Sequence, residues 1–387
     1  MVAVATALYL GFVLLRLSAF GGDPSAFVVA GDGVTDAHDA PGGLGLHRGT
    51  DGYDGQAYYR LARDPLTDEV REHGIAFTRP AYWQTRIGYP ATVWVVALGG
   101  REALVPGAMV AVNLAAVLAL AAGAALLARD LGRSPWLGLV PALWAGYLVG
   151  LGQDLTEPLA GALLVAALLS LQRGRPVPAA LALTAAALTR ETVLVLAVAI
   201  VALALLRRAD HRLPPWWVGA APVAGYAAWR SWVRARWADV VPDPPGDSPL
   251  TAPFVELAGY LGRAAGDLGA QGDNLLLLVP TLAVLVLLAA GLGDRDPATA
   301  YLRLALAADL VLLACLPVWD RSQAYLRWAC EPVVVGWLLL LRPTASRRVL
   351  PAVAGLVAVT WLTAVALTAT YPGTEHWVPA DRRIDPS

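Results

Sequence analysis

Residues 52–65, GYDGQAYYRLARDP, bring a carboxylate, a side-chain amide and two phenols into one short polar run: Asp54, Gln56, Tyr58 and Tyr59. A carboxylate held in such a loop can take the proton of an incoming hydroxyl. Gly55 lets the backbone turn tightly and come close to a ligand. Gln56, Tyr58 and Tyr59 offer hydrogen-bond partners for sugar hydroxyls, and aromatic faces suit sugar rings. The same run also has a purely structural reading. Asp54 precedes a helix-compatible stretch that reaches Arg63, so its carboxylate would equally serve the free N–H groups of a helix start. Asp51 either pairs with Asp54 around a hard cation or stands as a solvated turn residue.

Two further clusters carry chemistry-bearing side chains. Asp154 and Glu157, in GQDLTEPLAG, have the spacing of a capping box, with Pro158 suited to a first helical turn. Read functionally, they are acidic groups that orient a substrate or help to hold a metal. A divalent cation is the one cofactor these residues admit. Arg190 and Glu191, in ALTRETVL, interrupt two apolar runs, and ionisable groups between membrane segments point to function. The alternative is an Arg190–Glu191 or Glu157–Arg190 pair that closes a helix turn. Arg79, Arg86 and Arg327, the last in DRSQAYLRWACEP, carry guanidinium forks that match a phosphate or a lipid headgroup. No Ser-His-Asp order, HExxH, P-loop or dinucleotide fingerprint occurs, and none of the 5 His has metal-ligand spacing.

The elements that must position these residues belong to a membrane. Hydrophobic residues make up 57% of the 387 positions and charged residues 15%, more apolar than a soluble domain needs. The net charge of −1 leaves no footprint for nucleic acid. All 29 basic residues are Arg, and with so much Ala, Gly, Val and Pro this suggests a GC-rich bacterial genome. Cys315 and Cys330 lie in apolar surroundings, with neither metal nor disulfide spacing. The fold class expected is an all-α polytopic membrane protein in one domain. Apolar runs near the ~20 residues needed to cross a bilayer predict eleven spans: 2–20, 105–128, 135–150, 155–171, 177–189, 193–206, 215–229, 274–291, 301–318, 329–341 and 349–370. The pair at 177–206 is short enough to be one bent hairpin. Span 2–20 lacks a basic leader and a cleavage site, and reads as a retained anchor.

Charge sets the expected topology. Arg129, Arg133, Arg173, Arg175, Arg207, Arg208, Arg212, Arg295, Arg342, Arg347 and Arg348 fall in short connections, whereas the loops 21–104 and 230–273 are long and acid-rich. Positive-inside logic puts the short loops in the cytoplasm. Both long loops and the tail 371–387 are then outside. That parity forbids 89–98 from crossing, so it is expected as a helix lying at the outer interface, with Tyr82, Trp83, Tyr89 and Trp94 at headgroup level. Residues 254–268 have the apolar spacing of a second interfacial helix. The Gly/Asp-rich stretch 31–49 reads as irregular, and no internal repeat is present.

YDGQ-x-YY-x-x-A-x-DP (53–65), followed by AYWQTRIGYP (81–90), resembles a group of bacterial multi-span proteins linked to cell-surface glycopolymer formation. These are similar in turn to the GT-C superfamily of membrane glycosyltransferases. The later DLTEPLA, ALTRET and YLRWACEP segments fit more loosely, in the same order. The resemblance implies a polyprenyl-phosphate-linked sugar donor, inversion at the outer face of the cytoplasmic membrane, and an acidic base in the first outer loop, which maps to Asp54. It also implies an interfacial helix after that loop. The chain lacks the soluble carboxy-terminal domain of some relatives, so a glycan or glycolipid acceptor must be recognised by the outer loops or by another protein. A lipid-carrier flippase or polymer transporter is the competing expectation, motivated by intramembrane charges and short spans. A non-catalytic scaffold of envelope assembly is a third, which the dense polar motif disfavours.

Overall fold

The computed structural model describes residues 1–77, 79–207, 212–238, 250–342 and 349–380. Seventeen α-helices account for most of them: α1 Val2–Ala19, α2 Gly55–Arg63, α3 Pro80–Gln84, α4 Gly88–Val96, α5 Val105–Asp130, α6 Leu139–Ala142, α7 Ala145–Gly152, α8 Glu157–Gln172, α9 Pro176–Thr189, α10 Leu194–Leu206, α11 Trp216–Trp237, α12 Val255–Gly266, α13 Leu268–Ala289, α14 Ala300–Ala314, α15 Ser322–Trp328, α16 Cys330–Leu340 and α17 Val349–Thr368. Strand structure among the described residues is confined to two antiparallel ribbons. One pairs β1 Leu46–His47 with β4 Trp377–Val378, and the other pairs β2 Arg71–Glu72 with β3 Ile75–Ala76.

The chain is an all-helical membrane-type protein. Five stretches are long and apolar enough to cross: Val2–Ala19, Glu102–Asp130, Leu268–Gly293, Pro297–Ala314 and Val349–Thr368. A sixth arises if Pro135–Ala142 and Ala145–Gly152, bent by 56°, count as one. The other expected spans coincide with helices, four of them (α8, α9, α10 and α16) short and one, α11, of 22 residues. At 1.5 Å per residue, the 16 residues of α8 reach about 24 Å and the 11 of α16 about 16 Å, against a core of ~30 Å. Pro and polar residues end these helices early: Pro176 opens α9, and Arg190 with Glu191 separates α9 from α10.

Two expectations about the loops meet the structure directly. The helix α4 has 9 residues and is only about 14 Å long, too short to cross. It buries Tyr89, Pro90 and Val93 and leaves Trp94, Val95 and Val96 exposed. The helix α12 buries Leu257, Tyr260 and Ala264 and leaves Phe254, Val255 and Leu261 exposed. The second long loop is more helical than expected, since α11 runs on to Trp237 and α13 begins already at Leu268. Arg208, Arg347, Arg348 and parts of the second loop and tail lie outside the described residues.

Contacts sort the polar side chains to two ends. Arg173 reaches Asp130 (2.7 Å), Arg133 reaches the Leu341 carbonyl (2.9 Å) and Arg342 reaches Gln172 (3.2 Å), which gathers short Arg-bearing turns at one end of α8. Glu157 marks the other end of α8, with the motif residues around it. The first loop has its own apolar core, in which Tyr58, Tyr59, Leu61, Ile75, Phe77 and Tyr89 pack on Val105, Met109 and Leu155. The 31–49 stretch is irregular but pinned there. His47 N–H donates to Ala30, Thr35 N–H to Gly31, and the Arg16 guanidinium of α1 donates to the carbonyls of Ala26 and Thr368 (2.8 Å each).

Candidate active site

Two glycines explain how the motif turns into place. Gly52 has φ +68, and a Cβ there would stand 2.5 Å from Gly31 N and Val29 O. A Cβ on Gly55 would stand 2.4 Å from the Gln153 carbonyl and 2.5 Å from that of Val28. Only glycine lets α2 begin against these two backbones.

Asp54 occupies the N-cap position of α2 but does not cap it. Its backbone is already helical (φ −54, ψ −25), unlike the extended conformation that turns a side chain onto the first N–H groups. The carboxylate points elsewhere. Oδ1 accepts from Trp83 Nε1 at 3.2 Å, and Oδ2 lies 3.4 Å from Arg327 Nη1 and 3.5 Å from Nη2. The capping box at the next cluster is not formed either. Thr156 is the cap residue of α8 and makes no side-chain cap bond. Asp154 takes a left-handed conformation (φ +50), and its buried Oδ1 accepts from Tyr89 Oη at 3.4 Å, which in turn accepts from Asn113 Nδ2 at 3.0 Å.

Behind Asp54 runs a chain of alternating charges. Arg327 gives Nε to Glu157 Oε1 at 2.5 Å and Nη1 to the Tyr53 phenol at 3.0 Å. Glu157 Oε1 also accepts from Arg190 Nη1. Arg190 Nε reaches Thr192 Oγ1 (3.0 Å) and lies 3.3 Å from Glu331 Oε1, which accepts from Thr192 at 2.6 Å. The sequence-level pair Glu157–Arg190 therefore exists, as part of a larger array. Glu157 is fully buried, yet its Oε2 has no protein partner, and the same holds for Glu331 Oε2. Unsatisfied buried carboxylate oxygens are costly, so each is a place for water or a ligand group. Arg86 is separate. It meets Glu191 through both forks, Nε–Oε2 at 2.8 Å and Nη2–Oε1 at 2.5 Å, and donates to Tyr58 Oη at 3.3 Å.

The remaining candidates are placed by the same contacts. Gln56 has both amide ends committed: Oε1 accepts from Thr35 Oγ1 (2.8 Å) and Gly31 N (3.3 Å), and Nε2 donates to the Asp51 carbonyl (2.8 Å). It holds the loop together. Tyr58 and Tyr59 are fully buried in the loop's core. Arg79 stands at the N-cap of α3. Burial holds the Tyr53 phenol above its ordinary pKa, opposed by Arg327, so it stays a neutral hydroxyl beside Asp54.

A cleft of about 210 Å³ opens on the other side of Asp54, lined by Val34, Asp51, Gly52, Tyr53, Gln56, Ala57, Ile75, Ala76, Phe77 and Trp83. Phe77 and Trp83 stack there, with ring centroids 5.6 Å apart. Asp51 and Asp54 both line this cleft, but no group of three His, Cys, Asp or Glu able to hold a metal occurs among the described residues.

Several site residues escaped sequence reasoning. Tyr53 and Trp83 were within quoted motifs, and their side chains are the ones that touch Arg327 and Asp54. Glu331 stood in the YLRWACEP segment, where a carboxylate inside an apolar span was the available signal. Gln84 has no local signal. Its amide donates to the carbonyls of Pro65 and Thr67 (3.1 Å each) and accepts from Trp237 Nε1 at 2.6 Å, which docks α11 onto the loop.

Compared with protein-family models, with curated proteins and with solved structures, the chain matches none of them.

Proposed function

We propose that the chain is a GT-C-type membrane glycosyltransferase that moves a sugar from a polyprenyl-phosphate donor to a glycan or glycolipid acceptor, with inversion and with Asp54 as base. The site faces the outside of a bacterial cytoplasmic membrane. The shorter helices α8, α9, α10 and α16 together with α11 complete eleven spans, and α4 and α12 lie at the interface. One observation carries this reading: a carboxylate at a helix start, unused as a cap, stands between an open cleft and a buried guanidinium array.

The chemistry follows from that position. The acceptor oxygen attacks the anomeric carbon, and its proton passes to Asp54. The bond from that carbon to the phosphate oxygen breaks, and the polyprenyl phosphate leaves with the electron pair. Arg327 neutralises the developing charge, backed by Glu157 and Arg190. Because the guanidinium supplies this stabilisation, a divalent cation is not needed as the electrophile.

The test is Asp54→Asn in nanodiscs. Asn keeps the size of the side chain, and α2 loses no cap. Turnover should fall on the order of 10²–10⁴-fold with donor lipid still bound. Transfer at the native rate would falsify the mechanism.

A transporter reading has one specific support. Asp309 is buried within α14, which packs against α16, the helix of the buried Glu331. Buried carboxylates inside apolar helices suit a translocation path. Lipid scrambling by Asp54→Asn protein at the wild-type rate, without sugar transfer by either, would favour it.

A further inference from the structure

The two sides of Asp54 differ in charge, and that difference assigns them different ligands. On one side every neighbour is cationic or is buffered by a cation: Arg327 faces Asp54 Oδ2, and Arg190 lies behind Glu157. On the other side the cleft holds Asp51, Asp54 and aromatic rings, and no cation lines it among the described residues. A phosphate entering the cleft would meet two carboxylates and no guanidinium. Like charges brought to contact distance at a protein surface repel more strongly than they do in bulk water.

What the cleft offers instead is a polyol site. Trp83 forms its aromatic wall, fixed by stacking on Phe77, whose ring carries the Arg60 guanidinium 3.9 Å from its centroid. Arg60 is buried and tied to the carbonyls of Val70 (2.7 Å) and Ile75 (2.8 Å), so the wall is built on rigid backbone. Carboxylates at the rim accept hydroxyl protons, and a ring face covers C–H groups. The volume of about 210 Å³ lies below the ~300–1,000 Å³ of pockets for drug-sized ligands, which limits the occupant to a small unit such as one sugar ring.

We propose that this cleft seats one uncharged pyranose, the acceptor residue whose hydroxyl faces Asp54, and that its two carboxylates exclude anionic sugars. The assignment rests on the transfer reading for the word acceptor, but the binding site stands without it.

The probes are methyl glucoside, methyl galactoside and methyl mannoside, with glucose 1-phosphate as the anionic counterpart, followed by saturation-transfer NMR on the full chain in nanodiscs. At least one neutral glycoside should bind, and glucose 1-phosphate should bind at least tenfold more weakly. Trp83→Ala should abolish the neutral signal, whereas Trp83→Phe, which keeps the ring and loses the N–H, should retain it. Asp51→Asn should narrow the gap between methyl glucoside and glucose 1-phosphate. Absence of binding by all three glycosides, or binding indifferent to Trp83→Ala, overturns the assignment. Polyprenyl-phosphate binding is measured in parallel. If it responds to Arg327→Ala while the glycosides ignore Trp83, the cleft assignment fails and the transfer reading survives. If the glycosides bind through Trp83 but Asp54→Asn transfers normally, the cleft stands and the proposed base falls.

Discussion

Asp54 and Arg327 are 273 positions apart in the chain and face each other at 3.4 Å. The distance is long for a charge-assisted bond, which closes to about 2.7–2.9 Å. Arg190 and Arg86, by contrast, hold carboxylate partners at close range. Arg327 anchors its Nε on Glu157 and its Nη1 on the Tyr53 phenol at 3.0 Å, and holds its Nη2 at the edge of its reach, 3.5 Å from Asp54.

Arg327→Lys should therefore cost nearly as much transfer as Arg327→Ala, because an ammonium cannot hold Glu157 and a phosphate through one planar fork. Steady-state rates at saturating donor check this. Full activity of the Lys variant would reduce Arg327 to a general positive charge.

Arg86 and Glu191 should behave as a structural pair. Removing one partner leaves a poorly solvated charge, so Arg86→Gln or Glu191→Gln alone should destabilise by about 1–3 kcal/mol, a range discounted because Glu191 is a quarter exposed. The double variant should recover part of that loss. Chemical denaturation of the four proteins in detergent gives the coupling, and strict additivity would show the pair to be idle.

Gly55→Ala and Asp54→Asn separate architecture from chemistry. The added methyl would sit against the Gln153 and Val28 carbonyls. Cores and backbones yield to such overlap only at about 1–3 kcal/mol. Gly55→Ala should lower the melting temperature and expose the 52–65 segment to protease, which Asp54→Asn should not do. Equal protease resistance of the two variants would remove the close-approach argument.

Acid should loosen the ribbon between the first loop and the tail. His47 packs against Phe20 (5.7 Å) and Trp377 (4.9 Å), and burial, with Arg16 and His376 nearby, pushes its pKa down from 6.5 to about 3. Between those values the unfolded chain binds a proton that the folded one does not, so stability falls as pH drops below 6.5 and levels off near 3. His47→Phe keeps the ring and removes the titration. The melting temperature of the variant should lose several degrees less than wild type between pH 7 and pH 4. Parallel pH profiles would place the acid sensitivity elsewhere.

Much of the helix layout was legible because apolar runs of membrane length leave few other solutions. Each expected span has a helix, and 89–98 contains one too short to cross. The expected bounds 155–171, 177–189, 193–206 and 329–341 match the short helices α8, α9, α10 and α16 to within two residues, whereas the run of α11 on to Trp237 and the start of α13 at Leu268 were missed, since those helical turns are too polar to register as apolar runs. At the site, residue types were readable and partners were not. Asp54 followed by Gly55 and Gln56 spells a cap as clearly as a base, and only φ, ψ and the Trp83 and Arg327 contacts show that the carboxylate does not cap. Gln56, the most ligand-like side chain in the motif, turned out to hold the loop, because its partners Gly31 and Thr35 lie in a stretch with no periodicity to read.

A ribosome making this chain releases the Asp54 segment long before that segment can finish folding. Arg16 closes on the Thr368 carbonyl, 352 positions later, and Leu46–His47 waits still longer for Trp377–Val378. At ~5–20 residues per second, the delay is roughly 20–70 s. For most of that time Asp54 is without Arg327, which is added 273 positions later. The last helix and the strand after it thus close the first helix and the first loop, and a chain terminated before Thr368 would lack both fastenings.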